Sequence, residues 1–263
     1  MNEIDPPFAV LHVPHASRAI PAMARGSIAL ADDLLSRELL RMTDGFTDEL
    51  FRLDPRVARS VVFPVSRLVV DPERFLDDAR EPMAARGMGV VYTRTADGGV
   101  LRNEVEASVR ETLINDYYRP HHEILTHAVD AALDRYGGCV VVDCHSFPSA
   151  PLPYEIDQSH NRPEICVGTD DFHSPESLVH SATRIFQTAG FKVLLDAPFS
   201  GALVPGKHYR QDPRVIGLMV EVNRALYMDE GTGERLASFP EVGARLRACL
   251  LQIIDTARQI ATS

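Results

Sequence analysis

Gly137-Gly138-Cys139-Val140-Val141-Val142-Asp143-Cys144-His145-Ser146 opens on two glycines, runs through apolar residues and ends in polar side chains able to bind a metal. The valine-rich stretch reads as a strand buried on both faces, the kind found inside a parallel sheet. Upstream, a long helical pattern from about Glu104 to Tyr136 is closed by the glycine pair. Pro120 interrupts that pattern, so the helix should kink or restart there. Helix, glycine turn and buried strand with a polar end form the repeating unit of α/β folds, which gather ligands outside the carboxyl ends of their strands.

Outward from this run, four more short apolar stretches read as strands: Phe8–Val13, Val61–Val65, Lys192–Leu195 and Val215–Val220. Helical patterns fall between and after them at Asp32–Leu40, Phe46–Leu53, Glu176–Ala189 and Glu241–Ile260. In the last, Leu246, Leu250, Ile253 and Ile254 recur at helical spacing as a core-facing stripe. Strands alternating with helices predict one α/β domain over residues 1–263, a three-layer α/β/α arrangement around a mostly parallel mixed sheet. Two long irregular stretches, Leu76–Asn103 and Phe147–Ile165, would rim the carboxyl ends of the strands.

The chain has 263 residues, enough to bury a full core without staples, so a metal here would be catalytic rather than structural. A formal net charge of -10 excludes the basic footprint of a nucleic-acid binder. An anionic small substrate stays compatible, because a few arginines can reverse the field inside one pocket. Cys139, Cys144, Cys166 and Cys249 include no CxxC pair and read as buried, reduced thiols. The first residues lack the basic start of a signal peptide, and no stretch reaches the roughly 18 apolar residues of a membrane span. A cytoplasmic location and no membrane contact are expected, and nothing in the sequence opposes a homo-oligomer.

Strand ends supply the chemistry. His15, in Val13-Pro14-His15-Ala16-Ser17, follows the first strand, and His145 ends the third. Each alone reads as a hydrogen-bonded structural histidine; together, on neighbouring strands, they could share one crevice. Asp44 sits in a polar break before the Phe46–Leu53 pattern, where it reads first as an N-cap. Glu221 follows Val215–Val220, and an acid at a buried strand end is costly unless paired or used. It has two readings, a partner for Arg224 or a general base. Arg67 and Arg74 flank a short apolar segment and, with Arg119, are read as a solvated face or as clamps for a carboxylate. No GxSxG elbow, HExxH, GxGxxG after a strand or phosphate-binding loop is present.

PHAS (14–17), SRLVVDPER (66–74), YYRPHH (117–122), VDCHS (142–146) and EVNRALYMDE (221–230) together resemble, in order and spacing, the N-formylglutamate amidohydrolase family. The resemblance implies a fold akin to zinc carboxypeptidases and aspartoacylase, and hydrolysis of N-formyl-L-glutamate to formate and glutamate. It also implies a catalytic zinc, or another divalent transition metal, held by His15, Asp44 and His145, with Glu221 as the base. Arg67, Arg74 and His122 would hold a small anionic N-acyl amino acid, and Asp143 would orient a ligand. Two rivals remain open: a carboxypeptidase-like or aspartoacylase-like hydrolase of another substrate, and a binding protein that keeps the fold without turnover.

Overall fold

The computed structural model describes residues 5–103 and 105–261. In chain order its elements are β1 (Ala9–Val13), α1 (Ala22–Arg25), α2 (Asp32–Met42), α3 (Thr47–Leu50), β2 (Ala58–Val62), α4 (Ala107–Leu113) and α5 (Arg119–Tyr136). There follow β3 (Cys139–Phe147), β4 (Ile165–Gly168), α6 (Glu176–Thr188), β5 (Val193–Leu195), β6 (Val215–Asn223) and α7 (Phe239–Ala261).

The strands form one sheet in the order β2-β1-β3-β6-β4-β5. Neighbours run parallel except at β6 and β4, so β4 and β5 together point against the other strands. Period-two alternation sorts the central strands between two layers. Leu11, Val142, Leu218 and Val220 pack with residues of α6 and α7 on one side. Val10, Val141 and Val215 pack with Leu125, Val129 and Ala132 of α5 on the other. The expected mixed, mostly parallel sheet between helices is the architecture found.

Departures from the sequence reading have local causes. β3 extends past Val142 to Phe147 and β6 past Val220 to Asn223, because the polar ends pair with each other: His145 lies opposite Glu221. β2 ends at Val62, short of Pro64, which has no amide hydrogen to give a ladder. β4 matches no run in the sequence, where only its first residue, Ile165, closes an irregular stretch; four residues are too few to show a period. Helical structure continues through the Pro120 region, with a π-turn over Ile114–Tyr118 just before α5. Pro120, two residues into α5, has no amide hydrogen to give the turn before it, and Gly137 closes that helix in the left-handed region at φ 75. The Glu104 start read for this helical pattern lies outside the described residues.

Candidate active site

Alternation also explains why polar groups collect at one end of the sheet. His12 of β1 pairs in register with Asp143 of β3, and Asp143 with Met219 of β6; two residues on, His145 pairs with Glu221. Residues two apart share a face, so these side chains project from three adjacent parallel strands toward the α5 layer, at the strands' carboxyl ends. His15 stands two residues past β1. The Asp44 amide donates to the His15 carbonyl at 3.0 Å, tying the loop before α3 to the end of β1.

His15, Asp44 and His145 meet. Their imidazole centroids are 5.0 Å apart. Asp44 Oδ2 lies 3.1 Å from His145 Nδ1 and 3.6 Å from His15 Nδ1. The opposite ring nitrogens face carboxylates: His15 Nε2 is 2.9 Å from Asp71 Oδ1, and His145 Nε2 is 3.0 Å from Asp143 Oδ1 and 3.1 Å from Glu73 Oε2. His15 Nδ1 is buried without a hydrogen-bond partner.

Asp44 is a conspicuous departure from the sequence reading, in which residue type and position suggested an N-cap. No side chain caps α3, and Thr47 is bonded to the Asp44 carbonyl instead. The Asp44 carboxylate accepts from Arg224 Nη2 at 2.8 Å and from the Ser146 amide at 3.2 Å. Burial opposes its charge, but the bonds to His145 and His15, with the Arg224 charge, outweigh burial and hold its pKa well below the usual carboxylate range. Arg224 therefore hydrogen-bonds Asp44 and Ser146, not Glu221.

Glu221 is buried with Oε2 unpartnered. Burial first, and then the charge of Asp44, push its pKa up to about 8, although His145 and Arg224 pull the other way. His145 is raised well above the usual imidazole value, because the charges of Glu73 and Asp143 and hydrogen bonds to Asp143 and Asp44 outweigh the cost of burial. An acid-dense site that keeps a proton on imidazole is one that favours a cation.

Several residues here were not singled out in the sequence. Asp71 accepts from Arg67 Nη2 at 2.8 Å and from the Tyr92 hydroxyl, and it faces His15. Glu73 stands between the histidines: among the described residues, His15, Glu73 and His145 form one group with metal-ligand spacing, and His12, Glu73 and Asp143 a second. The first group pairs the two histidines with Glu73 where the sequence reading had Asp44. His12 Nδ1 is 2.9 Å from Asp143 Oδ1, and its Nε2 is 2.9 Å from His121 Nε2. Burial, above all, lowers the His121 pKa to about 2, so that ring is neutral. Asp71-Pro72-Glu73 follows no apolar period; its one sequence signal was two acids beside Arg67 and Arg74.

The site floors a cavity of about 950 Å³. Arg67, Arg74 and His122 all line it, as do Glu221 and the three residues read as ligands. Arg74 Nε is buried without a hydrogen-bond partner and lies 3.7 Å from Asp71. His122 Nε2 is 2.8 Å from the Pro72 carbonyl, and burial lowers its pKa to about 4. The neutral ring thus donates Nε2–H to Pro72 and turns a lone pair at Nδ1 to its surroundings. Both long irregular stretches contribute to the wall, through Glu81–Met83 and Tyr154–Ile156.

A family model described as N-formylglutamate amidohydrolase matches residues 8–228. The chain is similar in structure to the N-formylglutamate amidohydrolase from Ralstonia eutropha, at 24% identity and a TM-score of 0.82, covering 98% of this chain and 96% of that one. It is also similar to a gene product from Agrobacterium tumefaciens, at 18% identity and a TM-score of 0.69, covering 98% and 92%. These two likenesses speak for the fold. No curated protein matches the chain, and no helix among the described residues is long and apolar enough to cross a membrane.

Proposed function

The chain belongs to the N-formylglutamate amidohydrolase family, and from that membership we propose that it is a metal-dependent enzyme hydrolysing the amide of N-formyl-L-glutamate or a related N-acyl amino acid. The observation that carries this reading is the buried, unpartnered His15 Nδ1 turned with His145 Nδ1 toward Asp44 Oδ2, beside the unpartnered Glu221 Oε2.

The donor set fits zinc or another divalent transition metal. Asp71 faces Nε2 of His15, and Asp143 and Glu73 face Nε2 of His145. With Nε2 donating to carboxylates, both rings present Nδ1 as the ligand atom, the arrangement in which an outer carboxylate fixes a metal-binding imidazole. Asp44, whose Oδ2 approaches both Nδ1 atoms, would supply the third ligand. Asp44, Glu73 and Asp143 set three carboxylates around the two rings, and Arg224 hydrogen-bonds the first of them, a setting that favours a divalent cation. Glu73, 3.1 Å from His145 Nε2, serves this arrangement by holding the ring.

A divalent ion held by His15, Asp44 and His145 would acidify a water and polarise the amide carbonyl. Glu221 accepts the proton of the attacking water and returns it to the departing amine. Burial raises its pKa to about 8, toward the range in which one carboxyl can both take and give a proton. Arg67 is locked by Asp71 and Tyr92 with its guanidinium on the cavity wall, in place to stabilise charge developing on the carbonyl oxygen. Arg74 takes the substrate carboxylate, and the His122 lone pair accepts a substrate N–H. A place in histidine breakdown and a cytoplasmic setting go with the family reading.

Metal analysis of the purified protein and hydrolysis assays over N-formyl and N-acetyl amino acids test this. About one divalent ion per chain is expected, with a fall of roughly 10²–10⁴ in turnover for Glu221→Gln while the ion is kept. Wild-type turnover in Glu221→Gln removes the assigned base. A metal-replete protein inert to every acyl amino acid leaves the binding-protein reading.

A further inference from the structure

The cavity holds more room and more apolar surface than a formylated dicarboxylic acid uses. Its volume of about 950 Å³ lies at the upper end of the roughly 300–1,000 Å³ range of drug-sized sites. Above the polar floor its wall carries Phe75, Met83, Phe147, Ile156, Phe199 and Leu203. Phe75 is 41% exposed and Ile156 77% exposed, although both face this cavity. Phe147 and Phe199 meet edge to face at 5.9 Å. Large apolar side chains left open around a site that already holds convergent polar groups mark where a ligand's apolar part is received.

The cations on the wall point the same way. Arg224 is bonded to Asp44 at 2.8 Å. Lys207 is bonded to Asp130 at 2.8 Å and is 60% exposed, and Arg119, at the exposed rim, is bonded to Asn115 at 2.8 Å and ion-paired with Glu111 at 3.5 Å. Arg67 and Arg74 share a single counter-ion, Asp71. Glu81 also bears on Arg74, but its carboxylate is held by the Phe75 and Met83 amides, so the guanidinium left with an unpartnered Nε is that of Arg74. That suffices for one substrate carboxylate. A second carboxylate would enter an apolar wall where the other cations already have partners, at a desolvation cost its binding does not return.

We infer that the acyl amino acid selected by this site carries one carboxylate, held by Arg74, and a large apolar group received by Phe75, Ile156 and the Phe147–Phe199 pair. This rests on the acyl-amino-acid reading above and narrows it. The apolar group has two sources, the amino-acid side chain or the acyl chain, which share the same wall.

The test compares kcat/KM for N-formyl-L-leucine, N-formyl-L-phenylalanine, N-octanoylglycine and N-formyl-L-glutamate on the metal-replete enzyme. At least one apolar substrate is expected to exceed N-formyl-L-glutamate by about tenfold or more, the scale on which apolar pockets discriminate. The formyl amino acids and octanoylglycine separate the two sources. In the Phe75→Ala/Ile156→Ala double variant, kcat/KM for the preferred apolar substrate should fall about tenfold, and by less for N-formylglycine. Calorimetric binding of N-formyl-L-leucine and N-formyl-L-glutamate to Glu221→Gln gives a readout independent of turnover. Preference for N-formyl-L-glutamate in rate or in binding overturns the inference and leaves amide hydrolysis standing. Apolar preference in binding with no turnover of any substrate supports it and removes the hydrolytic reading instead.

Discussion

On the floor of the cavity, Asp143, His145, Met219 and Glu221, with the fully buried His12 paired to Asp143, project from three neighbouring parallel strands in fixed register. At the mouth, Phe75 and Ile156 stand on stretches outside the sheet, and Met83 on a short 3₁₀ turn. Most polar groups of the floor are matched to one another, His12 to Asp143 and His121, His145 to Asp143 and Asp44, Asp44 to Arg224, while His15 Nδ1 and Glu221 Oε2 are buried without partners. The mouth's apolar side chains need no such matching. Charged groups out of water are tolerable only when partners are held within tenths of an ångström, and a central sheet provides that. Apolar contact is non-directional and survives on a loop. Chemistry and selectivity thus rest on different kinds of backbone, and variants in the two regions should fail differently.

The largest effects belong to the floor. His15→Ala and His145→Ala should each lose the bound ion and measurable turnover together, read by elemental analysis and rate on the same sample. Ile156→Ala should keep the ion. A floor variant that retains a full metal complement would break the separation at its root. Next comes Asp71→Asn, which weakens the partner of His15 Nε2 without touching Nδ1. Metal affinity, measured by chelator competition, should drop about 10–100-fold. Unchanged affinity would mean that Asp71 serves only the arginines.

Arg74→Met acts between the regions, because Arg74 lines the cavity yet sits 3.7 Å from floor-facing Asp71. Losing a charged hydrogen bond to the substrate carboxylate should raise KM about tenfold or more, with kcat and metal content near wild type. A fall in kcat at constant KM would place Arg74 in the chemistry instead and blur the boundary.

The same division explains what the sequence disclosed. β1, β3 and β6 were legible because burial on both faces writes a valine-rich run, and His15, His145 and Glu221 were found at the ends of such runs. Asp44 was ambiguous, since an acid before a helix looks alike whether it caps or faces inward. Only the 3.1 Å approach to His145, 101 residues away in sequence, separates the two. Asp71 and Glu73 were hidden for a related reason: their loop has no period, and their partners come from β1 and β3. β4 was missed because Ile165–Gly168 is shorter than its own pattern would need to be. Lining by Phe75 and Ile156 had no sequence signal, as isolated apolar residues in loops are ordinary.

The smallest expected effect is on stability, and it sharpens the contrast without any substrate. Burial, foremost, raises the Glu221 carboxyl from 4.5 to about 8 in the folded protein. Between those values the unfolded chain has lost this proton while the folded chain keeps it, so folding binds a proton and weakens as pH rises. The group's contribution is fully present below about pH 4.5 and gone once pH passes about 8. Metal-free wild type should therefore lose stability relative to metal-free Glu221→Gln from pH 5 to pH 9. Urea midpoints at the two pH values measure this. Ile156→Gln, altered at the mouth where no buried proton is held, should track wild type at both. If Glu221→Gln and wild type ran parallel instead, the glutamate would be ionised in the folded protein throughout, and a floor tuned by burial would have to give way to one already charged before any cation arrives.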